Sequence, residues 1–322
     1  MKATEIKKVA CAATGVIGSS WATNFAMKGY PVNVYDISEE KLASSKEFVE
    51  KNLNYLKEKG LLTQQQVDDA IANVIYTTDP EVAFKDVQYI QESGPENYEI
   101  KKKMLAVMEE YAPADAVIAS STSGLKVSEI AKNAKHPERC VGSHPYNPPH
   151  MIPLVEVSRP ENASEEAAQC AYDFYKLLGK EPILLKKEAL GFIANRLQIA
   201  LWREATELVH RGVCTVEDID KSIVFGPGLR WALIGPGIGF QLSGGPVGIE
   251  GLLHHLEPSW NLWLDDMADW HAFPYETWPA DVQKGIDEEK ANRDDYYGKT
   301  DDEIIRYRDD ALLELLKIHK KL

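Results

Sequence analysis

Apolar and polar residues follow two different rhythms along this chain. Up to about Lys187, short apolar runs recur at Lys7–Ala12, Val32–Tyr35, Val74–Thr77, Val87–Gln91, Ala116–Ala119, Arg139–Ser143, Leu154–Val157 and Ile183–Lys186. Runs of this length, rich in β-branched residues, predict strands. Amphipathic stretches between most of them predict helices, including a helical hairpin from Ser38 to about Ala72 broken at Lys59–Gly60. Such alternation implies a mostly parallel, doubly wound sheet of the Rossmann type.

Beyond Lys187 no strand pattern is convincing. Ala189–Arg211 reads as a strong amphipathic helix stopped by Gly212, and Asp301–Lys321 as another. Thr215-Val216-Glu217-Asp218 has the spacing of a helix-opening capping box, with Asp in the place of Glu. The reading is therefore α/β, with a Rossmann-type domain over 1–187 and an all-helical C-terminal domain over 188–322. No internal repeat or low-complexity tract interrupts either part.

Composition narrows the function classes. The 322 residues are 44% hydrophobic and 27% charged, which is ordinary globular usage. A formal net charge of −14 disfavours nucleic acid and anionic membranes as partners, since both require clustered Lys and Arg. Cys11, Cys140, Cys170 and Cys214 form no C-x-x-C pair and fit reduced thiols in a cytoplasmic protein. The N-terminus leads into a short strand rather than the apolar core of a signal peptide. No membrane span is expected.

The first turn reads Ala13-Thr14-Gly15-Val16-Ile17-Gly18. It matches the dinucleotide fingerprint G-x-G-x-x-G except that Ala13 stands in the first glycine's place. The helix opening after it offers free N–H groups and a positive dipole end to a pyrophosphate. Asp36 closes the second predicted strand, where an acid accepts hydrogen bonds from an adenosine ribose. Its charge would repel a 2′-phosphate, and no Arg or Lys follows in Ile37-Ser38, so NAD is expected over NADP. An unfavourable φ at Ala13 would weaken cofactor binding.

Four polar residues fall at the edges of elements: Ser123 and His144 just past predicted strands, Glu156 inside an apolar run, and Asn195 in the first turns of the long helix. Taking hydride from a carbinol carbon requires loss of the hydroxyl proton, a task suited to histidine. A carboxylate behind the imidazole would fix its tautomer. Glu156, with strand neighbours on both sides, is expected to be buried and paired.

At these residues the chain resembles the L-3-hydroxyacyl-CoA dehydrogenase superfamily over nearly its whole length. The resemblance rests on the two-domain order, the S-T-S segment at Ser121–Ser123, the H-P-x-N-P segment at His144–Pro148 and the G-F-x-x-N-R-L helix at Gly191–Leu197. It implies His144 as general base, Glu156 as its partner, Ser123 and Asn195 as donors to the reacting oxygen, and Glu96 near the nicotinamide. Gly228-Leu229-Arg230-Trp231 followed by Gly235-Pro236 resembles the non-CoA branch, which acts on L-carnitine or L-gulonate. Leu201–Ala205 and Arg306–Asp310 are most similar to the carnitine members. Two features depart from the pattern: Ala13, and Asn195 where the carnitine branch often carries Asp.

The resemblance implies oxidation of L-carnitine to 3-dehydrocarnitine first, then L-gulonate, then a short 3-hydroxyacyl-CoA. A non-catalytic NAD-binding or crystallin-like structural role is the contrasting class, supported only by Ala13. A homodimer formed through the helical domain is also implied.

Other signals stay open at this level. Arg230 could clamp a substrate carboxylate or make a structural ion pair. Trp231, Phe240 and Tyr146 are candidates for an aromatic cage around a trimethylammonium group. Packing and subunit contact are the competing roles for the aromatic residues of the second domain, among them Trp260, Trp263, Trp270, Phe273, Tyr275 and Trp278. Lys101–Lys103 could meet CoA phosphates or lie on a solvated helix face. No histidine spacing suggests a metal, and Ser123 lacks the G-x-S-x-G context of a hydrolase nucleophile.

Overall fold

Eight short strands form in the first part of the chain: β1 (Val9–Ala12), β2 (Val32–Tyr35), β3 (Val74–Thr77), β4 (Tyr89–Glu92), β5 (Val117–Ser120), β6 (Cys140–Pro145), β7 (Leu154–Ser158) and β8 (Glu181–Leu185). They make one sheet in the order β3-β2-β1-β4-β5-β6-β7-β8, parallel throughout except for the antiparallel β6–β7 pair. The computed structural model describes residues 1–322 and divides into two units, Met1–Arg196 and Leu197–Leu322.

Side chains alternate across each strand, and the core follows that period. Val9 and Cys11 of β1 join Trp21, Phe25 and Phe174 on one face of the sheet, whereas Ala10 and Ala12 join Phe84, Leu105 and Met108 on the other. Burying each large side chain contributes about 1.5–3 kcal/mol. The covering helices are α1 (Val16–Met27), α2 (Glu39–Glu58), α3 (Gln64–Ala72), α4 (Pro80–Phe84), α5 (Tyr98–Tyr111), α6 (Val127–Ile130) and α7 (Glu165–Leu177). Local chemistry sets their starts: Ser38, Asn97 and Ser164 cap α2, α5 and α7, and Thr63 with Gln66 boxes α3.

Strand order reverses at β1, which lies between β2 and β4. In open α/β sheets a crevice forms there, at the carboxyl ends of the strands. The loops after β1, β4, β5 and β6 all emerge on that edge.

Two of the boundaries that differ from the sequence reading lie at the site. The long helix α8 (Ala194–His210) starts five residues later than expected, because Gly191 and Phe192 take left-handed backbone (φ +73° and +49°). The apolar spacing runs on through Ala189–Ile193, but the backbone turns sharply there. His144 lies inside β6, not beyond it.

The second unit has no strand. It holds the remainder of α8 and α9 (Val216–Val224), α10 (Pro227–Trp231), α11 (Pro236–Ser243), α12 (Gly248–Asp266), α13 (Trp278–Asn292) and α14 (Asp301–Ile318). The Thr215–Asp218 capping box forms as the spacing predicts, and Gly212 follows α8 at φ +70°. Helix α9 packs on α10 and α13, and α11 on α12. No single helix is long and apolar enough to cross a membrane.

Candidate active site

The loop after β1 combines strain with open space. Ala13 sits at φ +76°, where an L-residue is disfavoured and glycine is not. Its N–H donates to Tyr35 O at 2.8 Å, which holds the turn against β2. Gly15 caps α1, and a Cβ on it would meet nothing within 4 Å. This leaves an open approach to the first turn at Val16 and Ile17, as a pyrophosphate needs. A Cβ on Gly18 would instead collide with Ala13 O, so that glycine serves helix–strand packing.

Asp36 is buried at the end of β2 and is no solvated turn residue. Its Oδ2 accepts from Thr14 N (3.1 Å) and Thr14 Oγ1 (2.8 Å), and its Oδ1 accepts from Ser38 N (3.3 Å). Two carboxylate oxygens offer about four acceptor sites, so capacity remains for a ribose hydroxyl. Asp36 lines a cleft of about 440 Å³ together with Ala13, Tyr35, Phe84 and Met104, an apolar slot suited to a flat heterocycle. The turn, the acid and the slot fit a dinucleotide.

Further along the same edge, Glu96 organises the loop after β5. Its Oε1 accepts from Thr122 Oγ1 (2.7 Å), Gly124 N (2.9 Å), Ser123 N (3.0 Å) and Ser123 Oγ (3.3 Å). Burial alone would raise the Glu96 carboxyl, but these donors and nearby Lys101 hold it below the usual range.

Sequence reasoning missed the support behind Glu96. Lys101 is not on a solvated face: it is buried, with Nζ 2.9 Å from Glu92 Oε1 and 3.8 Å from Glu96 Oε2. Glu92 is buried too and accepts from Ser120 Oγ at 2.5 Å, tying the ends of β4 and β5 to α5. An acid just past a predicted strand, followed by a lysine on the next helix, was the available signal.

The antiparallel register sets His144 opposite Glu156. His144 Nδ1 lies 2.8 Å from Glu156 Oε2, and both side chains are buried. Glu156 Oε1 accepts from Ile193 N (2.9 Å) and Ala194 N (3.1 Å), the backbone leading into α8. Burial would raise this carboxyl as well, but the bonds from His144, Ala194 and Ile193 hold it below its ordinary value. An ionised Glu156 can only accept, so Nδ1 carries the proton and Nε2 presents a lone pair. Consistently, Asn195 Nδ2 lies 3.4 Å from His144 Nε2, while also donating to Ser123 O at 2.8 Å. Phe192 packs against the imidazole with ring centroids 5.2 Å apart.

Ser123, His144, Glu156 and Asn195 thus form one hydrogen-bonded group with Glu96. On the same sheet edge Ser121, two residues before Ser123, has its Oγ 2.9 Å from Ser93 Oγ, and Ser93 N donates to Ala12 O at 2.9 Å beside the glycine turn. Tyr146 joins the group too, donating its hydroxyl to Asn195 Oδ1 at 2.9 Å.

Arg230, Trp231 and Phe240 belong to the second unit. Arg230 is exposed on α10, Trp231 is half-exposed beside it, and Phe240 leans on Trp260 with centroids 5.6 Å apart. Several aromatics there have packing roles. Trp278 is buried against Trp202, and Trp270 Nε1 and Tyr275 OH both donate to Glu207 on α8 (3.3 and 2.7 Å).

Comparison with known proteins identifies the family. Residues 8–189 match the model of the 3-hydroxyacyl-CoA dehydrogenase NAD binding domain, and residues 191–277 match that of the 3-hydroxyacyl-CoA dehydrogenase C-terminal domain. The chain is 41% identical over 255 residues to an L-carnitine dehydrogenase of Streptomyces griseus, covering 79% of this chain and 75% of that one. It is 36% identical over 325 residues to a 3-hydroxyacyl-CoA dehydrogenase of Gibberella moniliformis, covering 99% and 96%. Among solved structures, an NAD+-dependent 5-formyl-3-hydroxy-2-methylpyridine 4-carboxylic acid 5-dehydrogenase superposes with a TM-score of 0.79 at 25% identity, covering 98% of both chains.

Proposed function

Because this chain belongs to the 3-hydroxyacyl-CoA dehydrogenase family and is an NAD-dependent oxidoreductase acting on CH–OH, we propose that it oxidises the 3-hydroxyl of a small, free L-3-hydroxy carboxylate, with L-carnitine as substrate and 3-dehydrocarnitine as product. The observation that carries the chemistry is the His144–Glu156 bond, which leaves Nε2 as the basic nitrogen. Nε2 takes the hydroxyl proton as the carbinol carbon loses hydride. Glu156 stabilises the imidazolium that forms, without itself becoming protonated. With substrate bound, the Asn195 N–H that faces Nε2 at 3.4 Å and the Ser123 hydroxyl turn to donate to the oxygen as it becomes a carbonyl. NAD, when bound, accepts the hydride.

The substrate assignment draws on the Streptomyces griseus relative and on the carnitine-like segments at Leu201–Ala205 and Arg306–Asp310. In this reading Arg230 binds the substrate carboxylate, and Trp231 and Phe240 pack on the trimethylammonium group.

The protein acts in the cytoplasm as a homodimer in this reading. Support for self-association comes from the second unit, where Leu242, Leu262 and Leu264 are each more than 60% exposed. Apolar exposure on that scale favours a covered interface.

The test is an initial-rate panel with NAD and L-carnitine, L-gulonate, 3-hydroxybutyrate or 3-hydroxybutyryl-CoA. The highest kcat/KM is expected with L-carnitine. A higher value with the CoA ester, as the Gibberella moniliformis relative's name suggests for that protein, would overturn the substrate. No NADH from any of the four would overturn the substrate class.

A further inference from the structure

We propose that Tyr146 is a positioning residue whose hydroxyl holds the Asn195 side chain in place for the reaction. This rests on the reading of His144 and Asn195 given above. The Asn195 amide has three polar neighbours. Its Nδ2 group donates one hydrogen to Ser123 O at 2.8 Å and the other towards His144 Nε2 at 3.4 Å, and its Oδ1 accepts from Tyr146 OH at 2.9 Å. Two donors and one acceptor site are thereby assigned, and each anchor has a separate effect. The Ser123 carbonyl sets which way the amide faces, because the flipped group would set oxygen against oxygen. The Tyr146 hydroxyl fixes where the amide plane lies, and it draws electron density to Oδ1, which strengthens the N–H donors at the other end.

Tyr146 is itself well placed for this. It stands two residues after His144 and meets the imidazole edge-on, with ring centroids 5.1 Å apart. The donor and the base are therefore held by one short stretch of backbone, and the amide at the start of α8 faces both. Burial, then the charge of Glu156, pushes the phenol up to about 12, so it remains a donor across the neutral range. A phenylalanine would keep the ring contact with His144 and lose the anchor on Asn195. This assignment replaces the aromatic-cage role that sequence alone suggested for Tyr146.

The experiment is a double-mutant cycle with Tyr146→Phe and Asn195→Ala, read by steady-state kinetics and by the Asn195 side-chain amide resonances. In the wild-type background Tyr146→Phe is expected to lower kcat about tenfold, the size of one lost hydrogen bond, with the KM for NAD and the melting temperature unchanged. In the Asn195→Ala background the same change is expected to have no further effect. The Asn195 amide protons of Tyr146→Phe are expected to shift and to exchange faster. Reductions that multiply in full in the double variant would overturn the proposal. So would a raised KM for the hydroxy acid at unchanged kcat, which would make Tyr146 a substrate contact. If the wild type oxidises no hydroxy acid, the proposed function fails, and the amide resonances still decide whether the phenol holds Asn195: unchanged resonances overturn the anchor.

Discussion

The carbonyl oxygen of Ala13 occupies the space that a Cβ on Gly18 would need. The two retained glycines of the turn therefore serve different ends. Gly18→Ala must push a backbone oxygen, so it is expected to destabilise the fold by about 2 kcal/mol or more. Gly15→Ala meets no protein atom and is expected to leave stability within about 0.5 kcal/mol while weakening NAD binding at least tenfold. Urea melts with NAD titrations separate the two. Equal loss of stability in both variants would refute the division of roles.

Ala13 itself is strained. An L-residue in the left-handed region costs about 1–2 kcal/mol, and glycine returns part of that gain through its freer unfolded chain. Ala13→Gly is expected to stabilise the protein by about 0.5–1 kcal/mol and to bind NAD no more weakly. A lowered urea midpoint would show that the alanine methyl contributes packing that outweighs the strain.

Much of this arrangement was legible in the sequence because it is local. Glycine and aspartate bracket β1 and β2, short β-branched runs mark the strands, and capping residues mark the helix starts. The His144–Glu156 juxtaposition was legible only through family resemblance, since it arises from the antiparallel register of β6 and β7, which no local pattern encodes. The Glu92–Lys101 pair was missed because a lysine on an amphipathic helix ordinarily faces water, and here an acid on another element draws it inside. Residues 189–193 were misread as helix because hydrophobic spacing does not report a left-handed backbone at Phe192.

Glu156→Gln tests the base. If the glutamine oxygen accepts from His144 Nδ1, its NH2 group confronts the Ile193 and Ala194 N–H donors. If it faces those donors, its NH2 group forces the proton of His144 onto Nε2, and the base is lost. We expect kcat to fall by about a hundred- to a thousandfold with KM for NAD little changed. The acid limb of stability should change as well. A carboxyl held below its unfolded value stabilises the protein above the ordinary carboxylate range, and that contribution is lost as pH falls through the folded value. The gap between wild type and Glu156→Gln should therefore narrow on acidification, and a gap independent of pH would contradict the assignment.

Lys180 gives a pH dependence of the same sign in the alkaline range. It is buried after α7, and its Nζ donates to Pro149 O and, at 3.2 Å, to Ile152 O, in the loop joining β6 to β7. It also lies 5.7 Å from the centroid of Trp21. Burial, then the charge of Lys28, pulls its ammonium down to about 7. An unfolded lysine titrates near 10.4. Below pH 7 both states hold the proton and the full cost of a buried charge is present. Between the two values the unfolded chain binds a proton that the folded protein does not, so stability rises with pH. The slope is about 1.4 kcal/mol per unit near the middle of that window. Lys180→Met removes this dependence while losing two hydrogen bonds that brace the hairpin carrying His144 and Glu156. The wild type is therefore expected to gain on the variant in urea melts taken at successive pH values from about 7.5 to 9.5. A constant difference across that range would mean that the folded protein keeps Lys180 charged.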